Sequence, residues 1–142
     1  MTERPEKTET VRAWMLKAEN DFRNAENTLK MEPEGCPFDT VCFHAQQLIE
    51  KYLKALLAHH DVHFRKVHDL SELVLLLPRP LKSPINSTEQ DLLTGYISTG
   101  RYPSLPDVLG AKEAHEAMGI ARRFRDWARI KLSIESRPTK NP

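Results

Sequence analysis

A chain of 142 residues with 39% apolar and 29% charged residues has the composition of one folded domain with a core of its own, and not that of a disordered polymer. Lys and Arg number 21 against 20 Asp and Glu, a net charge of +1 that excludes a protein coating nucleic acid or a membrane surface by bulk charge and leaves room only for a local basic patch. The longest uninterrupted apolar stretch, Leu73 to Leu77, is far too short to span a bilayer. The polar start MTERPEKTET has no apolar secretory region, and two cysteines, Cys36 and Cys42, make no disulfide framework, so a reduced, cytoplasmic setting is expected.

In chain order, residues 1–9 are expected to be a flexible N-terminus. Val11, Trp14, Ala18, Phe22, Ala25 and Leu29 then recur every three or four residues and predict a helix from about Thr10 to Met31. Lys17, Asp21, Asn24 and Thr28 fall on its opposite, polar face. Pro33, Gly35 and Pro37 end it. Asp39 is the expected N-cap of a second helix, Thr40 to His59, whose apolar positions Val41, Ala45, Leu48, Tyr52, Ala55 and Leu56 are widened by Cys42, Ile49 and Leu53. Such a broad apolar face predicts a central helix. Glu50 and Lys54 form an i,i+4 pair on it.

Ala58 to Lys66 reads as a connection. Asp69, with Glu72 three residues on, is spaced as a capping box for a short third helix, Leu70 to Leu77, stopped by Pro78. Ser87 and Gln90 have the same spacing and open a fourth helix that ends at Gly100. Arg101 to Ser104 is expected to be a loop. The last helix, Pro106 to Ile134, carries a stripe of Ala111, Ala114, Ala117, Met118, Ala121, Phe124, Ala128 and Leu132. Residues 135–142 are expected to be a disordered tail. With no alternating stretch long enough for a strand, the fold class is all-α: one domain over 10–134, an antiparallel four-helix-type bundle with an additional short helix.

The run Val41-Cys42-Phe43-His44-Ala45-Gln46-Gln47-Leu48-Ile49-Glu50-Lys51-Tyr52-Leu53-Lys54-Ala55-Leu56-Leu57 resembles the second helix of HEPN domains. His68-Asp69-Leu70, Tyr96 with Arg101-Tyr102-Pro103, and Trp14, Lys17, Ala18 and Asp21 resemble further landmarks of that family, in the same order. The resemblance covers roughly Val11 to Ile130. It implies a helical bundle that commonly forms homodimers and often works beside a small nucleotidyltransferase, many such pairs being toxin–antitoxin systems. Many members are metal-independent ribonucleases with an Arg and a His four to six residues apart. Here the positions separated from Arg101 by four to six residues hold Pro106, Asp107 and Val108, and no His. The chain resembles the branch that keeps Arg-Tyr-Pro.

Arg101 is the sharpest candidate for a phosphate ligand, since a guanidinium forks onto phosphate and keeps its charge; its structural alternative is to bond the carbonyls ending the fourth helix. Tyr102 offers a ring for base stacking. Gln47, Lys51 and Lys54 share a helical face that could meet an anion, with His44 one turn before, or could form a solvated face. His68 and His44 are candidates for proton transfer beside Arg101, while Asp69 is explained as a cap. Among His59, His60, Asp61 and His63, donors at 59 and 63 would share a face for a metal only if the helix continued that far, and the apolar pattern fades there, so neither metal nor cofactor is expected. The basic residues from Arg122 to Lys131 wrap around the last helix and read as a solvated face more than an RNA-facing strip. Three functions remain open. They are a nucleotide- or RNA-binding module acting with a partner, a metal-independent ribonuclease with an altered site, and a structural adaptor for another protein.

Overall fold

The computed structural model describes residues 5–101 and 109–136. They form α1 (Pro5–Leu29), a 3-10 turn (Pro33–Gly35), α2 (Phe38–His59), α3 (Leu70–Leu75), α4 (Ser87–Arg101) and α5 (Ala111–Ser136). Among the described residues there is no strand, and the all-helical expectation holds.

Helix α2 is the hub, packing against each of the other four. Val41, Cys42, Ala45, Leu48, Ile49, Tyr52, Leu53, Ala55 and Leu57 on it have no exposed surface. A helix apolar on most sides is stable in water only when surrounded, and this one is. Ion pairs and cross-helix neighbours give the directions. Lys7 of α1 meets Asp61 beyond the end of α2, while Asp21 meets His44 and Lys51, so α1 and α2 run antiparallel. Arg123 of α5 meets Glu89 near the start of α4, and Tyr96 lies near Glu113 and Glu116, so α4 and α5 are antiparallel as well. Ala114, Ala117, Ala121 and Ala128 are fully buried, and their short side chains let α5 lie close on α2.

Cap chemistry sets the helix boundaries. Helix α1 starts at Pro5, earlier than Thr10, because proline at the first helical position lacks only an N–H that would have no partner there anyway. Helix α2 starts at Phe38 with Pro37 before it. The expected Asp39 cap is corrected: Asp39 sits in the first turn, its carboxylate accepting from the Thr40 N–H at 2.9 Å. Asp69 does cap α3, accepting from the N–H groups of Ser71 and Glu72. Glu72 does not close the box; Arg65 holds its carboxylate at 2.8 to 3.1 Å.

Helix α4 is capped one residue earlier than Ser87. Asn86 and Glu89 exchange backbone-to-side-chain bonds of 2.9 and 2.8 Å, and Gln90 turns inward to donate to the Ile85 carbonyl. The helix extends through Arg101, one residue past Gly100. Helix α5 opens at Ala111, where the Glu113 carboxylate accepts from the Gly110 N–H. Residues 102–108, which include Tyr102 and the expected start at Pro106, lie outside the described residues, as does the tail beyond Ser136.

Leu48 is fully buried in α2, whereas Leu75 on α3 is 84% exposed. Leu48→Ala is expected to lower unfolding free energy by about 2–5 kcal/mol, the range for a buried leucine whose cavity relaxes only partly. Leu75→Ala should stay within about 0.5 kcal/mol of the parent. Urea denaturation of both variants checks the pair, and equal losses would contradict this placement of α2.

Candidate functional site

An apolar core admits a carboxylate only when hydrogen-bond donors surround it, because an unmatched buried charge is strongly destabilising. Two carboxylates enter this bundle. Glu50 of α2 is 2% exposed and Asp21 of α1 is 6% exposed, which corrects the placement of Asp21 on an outer polar face.

Glu50 is surrounded by donors. Its Oε2 accepts from Lys54 Nζ at 2.9 Å. Its Oε1 lies 2.9 Å from His68 Nδ1, 3.2 Å from Gln47 Nε2 and 3.4 Å from Gln46 Nε2. Gln46 Nε2 also donates to the His68 carbonyl at 2.8 Å, which ties the chain entering α3 to α2 through both backbone and ring. Lys54 is itself buried. Its ammonium stands 5.3 Å from the centre of the Trp14 ring and 5.9 Å from that of Phe64, where the negative ring faces add to the attraction of Glu50.

Asp21 of α1 repeats the arrangement with other residues of α2. Its Oδ1 lies 2.7 Å from His44 Nδ1 and its Oδ2 accepts from Lys51 Nζ at 2.6 Å. The structure therefore brings His44, Gln47, Lys51 and Lys54 of α2 into one polar band that His68 joins from the segment before α3, with each lysine ammonium already on a carboxylate. This is no merely solvated helix face. His68 has a side chain 63% exposed and His44 one 20% exposed, so both rings reach solvent from buried acids.

Position along the bundle connects this band to Arg101. The Leu70 N–H donates to Thr94 Oγ1 at 3.2 Å, and Ser71 Oγ donates to Gln90 Oε1 at 3.0 Å, so α3 runs antiparallel to α4. His68, preceding α3, thus enters from the side of the C-terminal end of α4. Thr94 and the backbone of Arg101 are two turns apart on that helix, about 10 Å of rise.

A third cluster ties α1 and α5 to α2. Glu19 accepts a bidentate pair from Arg125, at 2.8 Å each, and a hydrogen bond from the Tyr52 hydroxyl. Burial pushes the Glu19 carboxyl up, but the bonds from Arg125 and Tyr52 outweigh it and hold the group below the usual glutamate range. Burial and the hydrogen bond to Glu19 push Tyr52 up to about 12, so its phenol stays protonated. Arg125 also stacks 4.0 Å from the centre of the Phe22 ring, and Arg122 pairs with Glu26. The basic residues of α5 are therefore cross-helix struts in large part, and sequence reasoning missed their acidic partners.

Toward the far end of α2, an open groove of about 640 Å³ is lined by Trp14, Phe64, Asp61 and His63 among others. Among the described residues no group of three or more His, Cys, Asp or Glu could hold a metal ion, and no helix is long and apolar enough to cross a membrane.

The model of the HEPN domain family matches residues 11–131. The chain belongs to the HEPN family. The crystal structure of an archaeal HEPN homologue is similar, with a TM-score of 0.61 and 22% identity over 86% of this chain and 97% of that one, a likeness of fold. No curated protein matches the chain. In this HEPN bundle the residue that sequence reasoning undervalued is Glu50, read only as half of an i,i+4 pair. The signal was its place between Ile49 and Leu53 on the broad apolar face.

Glu50→Leu leaves the Lys54 ammonium buried without its carboxylate, and is expected to cost about 3–5 kcal/mol of stability. Glu50→Leu/Lys54→Met removes both charges and should recover most of that loss. Denaturant unfolding of the two variants measures it, and a double variant no more stable than the single one would contradict the buried pairing.

Proposed function

We propose that this chain is a HEPN module that binds the phosphate of a nucleotide or an RNA at the α4 end of the bundle. It acts as a homodimer beside a partner such as a small nucleotidyltransferase, the two forming a toxin–antitoxin type pair. The observation that carries the ligand reading is His68: an imidazole held on a buried carboxylate, its ring open to solvent, on the side of the bundle toward which α4 carries Arg101. A guanidinium and an imidazole at one end of a bundle suit a phosphate, the first as a permanent bidentate cation and the second as a donor when protonated. In this reading Tyr102 stacks on the base, Gln47 and Lys51 border the phosphate, and Lys54 acts from inside by holding Glu50. The partner and the dimer rest on membership of the family.

A second reading is favoured by the contact between His68 Nδ1 and Glu50, the arrangement that orients an imidazole for proton transfer. In a metal-independent ribonuclease His68 or His44 would move the proton, while Arg101 would stabilise charge on the phosphate.

A ligand that binds the native state raises its melting temperature. The expected outcome of a thermal-shift series with ATP, GTP and short RNAs is a rise for the wild type that is lost in Arg101→Ala. An equal rise in the variant would overturn the site. Incubation of the same RNAs with chelator present separates the two readings, because intact RNA excludes the ribonuclease and cleavage abolished in His68→Ala supports it.

A further inference from the structure

The same device occurs twice along α2. A buried acid holds a histidine by Nδ1 and a lysine by Nζ: Asp21 with His44 and Lys51, Glu50 with His68 and Lys54. We infer that Asp21 and Glu50 are positioning residues that fix His44 and His68 as Nδ1–H tautomers, so that two imidazole Nε2 atoms flank Gln47 and face the phosphate of the ligand. The inference rests on the phosphate reading of this site and adds to it the atoms that meet the ligand.

The tautomer follows from donor and acceptor chemistry. A carboxylate only accepts, and a neutral imidazole has one N–H. Contacts of 2.7 and 2.9 Å from the two Nδ1 atoms to carboxylate oxygens place that hydrogen on Nδ1 in both rings. Nε2 is left with its lone pair free to accept from a ribose hydroxyl, or to take a proton and donate to a phosphate oxygen. An acid behind a histidine fixes both its tautomer and its orientation.

The lysines complete the arrangement. A bare pair of buried carboxylates would repel a phosphate, but Lys51 and Lys54 cancel their charge, so each trio is neutral while its ring is neutral. Gln47 stands between the two trios: it lies one turn after His44 and donates to the Glu50 oxygen that also meets His68.

The test is long-range proton–nitrogen NMR of protein labelled at histidine with nitrogen-15, recorded with the rings neutral. In the wild type His44 and His68 are expected to carry their hydrogen on Nδ1. Asp21→Leu/Lys51→Met should release only His44, and Glu50→Leu/Lys54→Met only His68, to the Nε2–H form that imidazole prefers in water. Each double variant removes an acid together with its lysine, so no buried charge is stranded. Nε2–H in the wild-type rings would overturn the inference, and that result needs no variant. Added ATP is expected to move the Nε2 resonances. If the tautomers are as inferred but neither ATP nor a short RNA moves Nε2, the phosphate reading fails and the positioning by Asp21 and Glu50 remains.

Discussion

The buried carboxylate of Glu50 is the constraint on which the rest of this bundle depends. Helix α2 packs against the other four helices, and a polar group on its buried face must find partners inside the protein. Glu50 finds four: Lys54, Gln46 and Gln47 on its own helix, and His68 on the segment that leads into α3. Breaking such a set strands a charge, so the geometry is specified more sharply than apolar packing alone would specify it. Asp21 does the same between α1 and α2, and Glu19 ties α1 to α5 through Arg125.

The contacts that satisfy these acids also build the candidate site. His68 reaches solvent because its ring is tethered at Nδ1 and its backbone carbonyl is held by Gln46. The antiparallel pairing of α3 with α4 then directs this segment toward the end of α4 that carries Arg101. Helices and buried acids hold the histidines, while Arg101 is the last residue of α4. A scaffold of this kind suits a site whose specificity depends on orientation.

Much of the fold was legible because apolar periodicity is local: the five helices and the central place of α2 followed from positions such as Leu48, Ile49 and Leu53. Boundaries shifted where two capping frames overlap. Asn86 with Glu89 and Ser87 with Gln90 have the same spacing, and only the inward turn of Gln90 onto the Ile85 carbonyl decides between them. The site was legible as residues but not as contacts. Asp21 looked solvent-facing because its partners His44 and Lys51 are 23 and 30 positions away on another helix. Arg122 and Arg125 looked like a solvated basic face because Glu26 and Glu19 lie 96 and 106 positions away. Charge partners so distant leave no periodic trace.

The most direct measurement is a backbone amide chemical-shift map of the protein titrated with ATP and, separately, with a short single-stranded RNA. The largest changes are expected at His44, Gln47, Glu50, His68 and Arg101. Changes confined to the groove around Trp14 and Phe64, or no saturable change with either ligand, would contradict it.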